Sequence, residues 1–127
     1  MHPRILLLAS LAASVLANGC AQEDQGARTT WAQLQVETLN LELIDPDKYE
    51  LLMFAPAGMV SATVGTKGGG LIGPLWYWRL EGDHLIVSEK LNADTYADLH
   101  EPRLLQDRLF VKRGLLGNAK YSVRRRQ

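Results

Sequence analysis

The feature that most constrains the fold is an alternation of apolar and polar residues with a period of two, which runs through residues 31–123. Within residues 37–43, Leu39, Leu41 and Leu43 fall on one face of an extended chain, and polar residues separate them. Successive side chains of a β-strand point to opposite faces of a sheet, so this pattern is typical of half-buried strands. The sequence therefore predicts an all-β domain and disfavours an α/β arrangement.

Turn residues divide the alternating region into about seven short strands. Proline, glycine and aspartate cluster at residues 45–47, 55–58, 66–70, 82–83 and 114–118. The second of these turns has the composition of a type I turn followed by a left-handed residue, which predicts a hairpin. Residues 92–100 fit either a helical turn capped by Asn92 or an open loop. Short strands at this spacing predict an antiparallel meander, closed as a barrel or packed as a sandwich.

Length and cysteine content indicate one domain that depends on its apolar core. The chain has 127 residues, within the usual size of a single domain. Cys20 is the only cysteine, so an intramolecular disulfide is impossible. Net charge changes from −5 in residues 21–50 to +6 in residues 101–127. We expect no nucleic-acid binding, because the domain lacks a broad basic face with interleaved aromatic residues.

The N-terminus has the pattern of a secretory signal. Arg4 precedes an apolar run over residues 5–17, and a polar stretch follows. As a helix this run would span only about 20 Å, too little for a bilayer core of about 30 Å. We therefore divide the chain into a cleaved signal helix (1–19), a flexible tether (20–30) and a single barrel-like domain (31–127).

Two cleavage sites compete near Cys20. Val15, Leu16 and Ala17 have the small-residue spacing of ordinary signal peptidase sites, and cleavage there would release a periplasmic protein. Residues 16–20 instead resemble the lipobox of bacterial lipoproteins, with a glycine directly before the cysteine. That resemblance implies a lipidated Cys20 that anchors the domain to the cell envelope, at the outer membrane facing the periplasm.

The mature domain resembles small bacterial lipocalin-like domains. The resemblance rests on Trp31 ahead of the first strand and on the hairpins at residues 49–64 and 76–87. It implies a barrel that holds a small apolar molecule, with five candidate ligand-binding residues: Trp31, Met53, Trp76, Trp78 and Leu85. The alternative is a barrel filled by its own side chains, which is usual in small barrels and which we favour.

The remaining polar residues give little support to catalysis. His84 and His100, with Asp83, Asp98 and Glu101, lack the spacing of recognised metal or acid–base sites. The glycines at 68–70 do not form a phosphate-binding loop, because Lys67 precedes them and a strand follows. We expect no enzyme activity, metal or cofactor.

The chain ends in Arg124, Arg125 and Arg126, which would contact an anionic surface or form a solvated strand tip. Together these features predict a membrane-tethered, non-enzymatic envelope domain that interacts with an envelope protein. The alternative is a lipocalin-like carrier of a small apolar ligand. The sequence does not define the oligomeric state.

Overall fold

A computed structural model describes residues 25–91 and 94–126 of the chain. The predicted signal helix, Cys20 with its two alternative processing schemes, and Asn92 lie outside the described residues. None of the helices within the described ranges has the length and apolar character needed to span a membrane.

Ten antiparallel strands form one sheet. Their bounds are β1 (Ala27–Arg28), β2 (Leu39–Leu43), β3 (Lys48–Ala55), β4 (Met59–Thr66), β5 (Leu71–Ile72), β6 (Leu75–Glu81), β7 (His84–Ser88), β8 (Thr95–Leu105), β9 (Arg108–Arg113) and β10 (Gly117–Arg125). A four-residue helix, α1 (Trp31–Leu34), and a 3₁₀ turn (Val36–Thr38) precede β2.

The sheet closes on itself as an eight-stranded barrel. Each barrel strand pairs with its neighbours in an up-and-down order, β9 pairs with both β8 and β10, and β10 returns to β2. The two short strands lie outside this circuit, with β1 paired to β8 and β5 to β4. The predicted all-β antiparallel fold is therefore confirmed. Of the two predicted architectures the chain adopts the barrel, with eight strands in place of about seven.

The core follows the alternation seen in the sequence. Leu39 and Leu41 of β2 are fully buried, as are Leu52 and Phe54 of β3. The predicted hairpin between β3 and β4 is present, but its turn is not type I, because Ala57 as well as Gly58 has left-handed backbone. These inward rows make one continuous apolar cluster.

One end of the barrel is closed by the segment that precedes β2. Trp31 and Leu34 of α1 and Val36 of the 3₁₀ turn are buried in the core cluster. The Thr30 hydroxyl caps α1 by accepting a hydrogen bond from the Gln33 backbone N–H. The first strand of the barrel, β2, therefore begins at Leu39, two residues later than the alternation alone indicates.

Residues 95–105 form a long strand, so both readings of residues 92–100 were wrong for the part the structure describes. Ala97 and Leu99 of β8 are buried and pair with Val87 and Leu85 of β7. The apolar residues here do not alternate regularly, and the pairing partners that make the segment extended are supplied by β7 and β9.

The end of the predicted tether also belongs to the sheet. Ala27 pairs with Leu104 and Arg28 with Arg103. The Thr29 backbone N–H donates to the Pro102 carbonyl. Backbone pairing with an exposed stretch of β8 thus orders a polar segment that has no apolar periodicity.

Candidate functional site

The end of the barrel opposite α1 contains a pocket with a volume of about 800 Å³. Its walls come from the β2–β3 turn, the end of β4, the start of β8 and the β9–β10 hairpin. Leu43, Val64 and Tyr96 share these walls with the charged residues Lys48 and Lys120. Small-molecule sites commonly combine apolar walls with a few polar groups, so this pocket is the leading candidate site.

A buried carboxylate lies at the inner side of the pocket. Glu50 occupies an inward position of β3 and is only 3% exposed. Its oxygens accept hydrogen bonds from the hydroxyls of Tyr96 (2.5 Å) and Tyr121 (2.8 Å). They also accept two from the Arg113 guanidinium, at 2.9 and 3.0 Å. A buried charge requires such compensation, and here an ion pair and two tyrosines supply it. We call these four residues the polar floor.

A β-bulge directs Tyr96 into the polar floor. Val87 pairs with Ala97 and Ser88 with Thr95, which leaves Tyr96 as the extra residue on β8. Its ring lies against the ring of Trp76, with a centroid distance of 4.3 Å. Bulges commonly redirect a side chain in this way, often beside binding sites.

The two tyrosines and the arginine of the polar floor keep their protons across a wide pH range. Burial, followed by the hydrogen bond to Glu50, raises the pKa of Tyr96 to about 12. Burial and the Glu50 charge raise the pKa of Tyr121 as well. Burial is the largest single influence and lowers the pKa of Arg113, but the hydrogen bond to Glu50 and the electrostatic interactions with Tyr121 and Glu50 together raise it. Both tyrosines therefore remain neutral donors and the guanidinium remains charged at neutral pH, which suits recognition better than proton transfer.

Arg113 is the charged member of the polar floor that a ligand can reach, beside the partly buried Tyr96. Its side chain is 27% exposed and lines the pocket. A partly accessible guanidinium in a pocket that Lys48 and Lys120 also line favours a ligand with an anionic or strongly polar group. The pocket walls above it are apolar at Leu43 and Val64. The arrangement therefore fits a molecule with one polar end and one apolar end.

Exposed aliphatic residues surround the mouth of the pocket. Leu115 and Leu116, at the tip of the β9–β10 turn, are 99% and 97% exposed. Leu71 and Ile72 form β5, which pairs with the pocket-lining end of β4, and Leu91 follows β7. We call these five residues the aliphatic rim. They add nothing to the core and give the approach to the pocket an apolar character.

The five ligand-binding residues predicted from the sequence do not line this pocket. Trp31, Trp76 and Leu85 belong to the buried core cluster, and Trp78 packs against it. Met53 lies between the inward residues Leu52 and Phe54 of β3, so its side chain is on the outer face of the barrel. The arrangement matches the alternative of a barrel filled by its own side chains, with the pocket of about 800 Å³ at its open end. Of the five residues, Trp31 also borders a separate, smaller pocket of about 280 Å³ beside α1.

The three terminal arginines do not form a single cationic surface. Arg125 donates a hydrogen bond to the Leu34 carbonyl. Arg126 donates to the carbonyls of Glu37 and Phe54. These contacts hold the closing segment against β3 and β10. Of the three side chains, only Arg124 remains exposed without such a contact to the described residues.

The two histidines are brought together, although their sequence spacing gave no sign of it. His84 and His100 are direct partners across β7 and β8, and Asp98 lies beside them. Asp83 and Glu101 lie outside this group of three, and the Glu101 carboxylate pairs more closely with Lys112, at 2.9 Å, than with His100, at 3.7 Å.

Sequence reasoning missed all four residues of the polar floor. One signal was present in the sequence. Glu50 precedes Leu52 and Phe54 at spacings of two and four residues, so on a β-strand its side chain points to the same, inward face of the barrel. A charged residue in such a row requires a buried partner. Its partner Arg113 is 63 positions away, so local patterns did not identify it.

Comparison with known proteins found no match among protein-family models, curated proteins or solved structures.

Proposed function

We propose that this chain is a non-enzymatic binding protein that holds a small amphiphilic molecule in the open end of its barrel. The observation that carries the proposal is the pocket of about 800 Å³ above the polar floor. Sites for small molecules typically have volumes of about 300–1,000 Å³. The polar end of the ligand meets Arg113, and its apolar end meets Leu43, Val64 and the aliphatic rim.

Binding is favoured over catalysis because the reactive groups of the polar floor are occupied by one another. The Glu50 carboxylate accepts four hydrogen bonds, and both tyrosine hydroxyls donate to it. A general base needs an available lone pair within reach of substrate. The two partly accessible members are Arg113, which recognises anions and does not transfer protons near neutral pH, and Tyr96, whose hydroxyl donates to Glu50.

Native mass spectrometry of the full-length protein tests this proposal. We expect a retained mass of a small molecule that dissociates on activation in the gas phase. Val64→Phe narrows the pocket from an inward position and should remove that mass. Met53→Phe adds a similar volume on the outer face and should leave it in place. A mass of the chain alone for the unmodified protein, purified without detergent exchange, would contradict the proposal.

We further propose that the domain acts in the cell envelope of a bacterium, anchored through a lipid on Cys20. The support is the signal-like leader and the lipobox-like residues 16–20. Intact-mass analysis of the membrane fraction should find acyl chains on the chain that begins at Cys20. Cys20→Ser should move the protein into the soluble fraction. An unmodified chain that begins at Asn18 would support the periplasmic form instead.

Contact with an envelope protein is a second candidate function, favoured by Leu115 and Leu116 of the aliphatic rim. Side chains this exposed at the tip of a turn are suited to insert into an apolar groove of a partner. Replacing both leucines with serine should abolish complex formation in native gels of envelope extracts, whereas Leu80→Ser, at the opposite end of the barrel, should not. If both variants behave as the unmodified protein does, this function is excluded.

A further inference from the structure

Two histidines and an aspartate meet on the outer face of the barrel. His84 of β7 and His100 of β8 are paired directly across the two strands. Asp98 precedes His100 by two residues on β8, so its side chain emerges on the same face. These three residues, the histidine–aspartate cluster, are separate from the polar floor, and nothing assigned to the pocket depends on them.

The cluster has the dimensions of a metal site. The metal-binding atoms of its three residues lie within 4.8 Å of one another. The His84 Nδ1 atom is 2.7 Å from Asp98 Oδ1, and the two imidazole rings stack with centroids 4.6 Å apart. Ligands on a tetrahedral zinc ion are roughly 3.3 Å apart, since zinc–nitrogen bonds measure about 2.0–2.1 Å. Small side-chain rotations are enough to reach that spacing.

Each histidine has a ring nitrogen placed to bind the ion. His100 Nε2 lies 2.8 Å from the Gly114 carbonyl, which only accepts, so Nε2 carries the proton and Nδ1 of the neutral ring is available. Histidine ligands in metalloproteins typically donate their second N–H to a carbonyl in this manner. Nδ1 of His84 lies 2.7 Å from Asp98 Oδ1, and an ion bound between these two atoms would take the place of the proton that they share, which moves to Nε2 of that ring or to solvent.

The cluster is reachable from solvent. The side chains of His84, Asp98 and His100 are 44%, 33% and 16% exposed. The nearest other carboxylate belongs to Glu101, whose Oε2 atom is 3.7 Å from His100 Nδ1. Lys112 holds that carboxylate at 2.9 Å, so Glu101 is not counted among the ligands.

We propose that His84, Asp98 and His100 bind a divalent transition-metal ion of the zinc class on the outer face of β7 and β8. Two imidazoles and a carboxylate suit zinc, whereas magnesium and calcium prefer sets made of oxygen alone. Three protein ligands leave a coordination position for water. The bound ion links two neighbouring barrel strands through their side chains.

Calorimetric titration of the full-length protein with zinc chloride tests this site. We expect one zinc ion per chain and no heat of binding with magnesium chloride. His84→Ala and His100→Ala should each weaken zinc binding by about tenfold or more. Asp83→Asn changes a neighbouring acid outside the cluster and should leave binding unchanged. Circular dichroism checks that each variant is folded, and the exposure of His84 makes its replacement tolerable.

A second readout locates the ion. In protein labelled with ¹⁵N, zinc should shift the ring-nitrogen resonances of both cluster histidines. The proposal is overturned if the unmodified protein takes up no zinc, if both histidine variants bind it as tightly as the unmodified protein, or if Cys20→Ser alone abolishes uptake.

Discussion

At the scale of single residues, the Glu50–Arg113 pair decides how the open end of the barrel responds to mutation. Removing one partner of a buried ion pair leaves an uncompensated charge, whereas replacing both with apolar residues is often neutral. The two partners differ in exposure, at 3% for Glu50 and 27% for the Arg113 side chain. The decrease in the free energy of unfolding when one partner is replaced should therefore depend on which of the two charges remains.

Arg113→Met should lower the free energy of unfolding by about 3–5 kcal/mol, because it leaves the Glu50 carboxylate buried. Glu50→Leu should lower the free energy of unfolding by less, since the guanidinium that it leaves behind lines the pocket and is 27% exposed. The double variant should recover most of the loss. Urea unfolding measures all three, and a double variant no more stable than Arg113→Met would contradict this account.

Ionisation of Tyr96 should make the folded protein less stable at high pH. Its pKa is raised from 10 to about 12, first by burial and then by the hydrogen bond to Glu50. Between these two values the unfolded chain has lost the Tyr96 proton while the folded chain keeps it, so stability is complete below about pH 10 and is lost as the pH rises through about 12.

Denaturant titrations between pH 9 and pH 12 should therefore show a falling free energy of unfolding. Tyr96→Phe should fall less steeply, because the titrating group is gone. Tyr77→Phe, on the outer side of β6, is the matched control and should retain the full slope. Equal slopes in the three proteins would refute the role given to Tyr96.

At the scale of elements, the alternation of residues predicted strands well where one face is buried by aliphatic side chains. Leu39 and Leu41 lie inward as the pattern indicated. It failed for residues 95–105, where Tyr96 forms a bulge and Glu101 has a positive φ of 51°. After each irregularity the side chains that pointed inward point outward and the reverse. The strict period of two is therefore lost although the segment is extended.

The short helix α1 should contribute strongly to the stability of the fold through Trp31. The Trp31 indole N–H donates to the carbonyls of Asp83 and Leu99, at 3.0 and 3.1 Å, and its ring is buried. Trp31→Ala should lower the free energy of unfolding by about 3–5 kcal/mol, because it leaves a cavity in the core. Trp31→Phe keeps most of the packing and should cost about 1–3 kcal/mol, mainly through the lost hydrogen bonds. Thermal unfolding of the two variants should rank them in this order, and equal midpoints would contradict it.

At the scale of the whole molecule, the sequence predicted the class of fold but not the site. Strand content and antiparallel order depend on local alternation and turns, which are visible in the chain. The polar floor depends on pairings across the barrel, such as Glu50 with Tyr121, which are 71 positions apart. The histidine–aspartate cluster was hidden for the same reason, because the register of β7 and β8 decides it.

Closure of the barrel through β8 and β9 also sets how its backbone amides exchange with deuterium. Every barrel strand is paired on both sides, so no strand can detach without breaking two ladders at once. Amides of the barrel ladders should then exchange together, at a rate set by global unfolding. β1 and β5 are each paired on one side and should exchange faster. Mass spectrometry of pepsin fragments will show whether the amides fall into these two groups, one that exchanges only on global unfolding and one that exchanges by local opening.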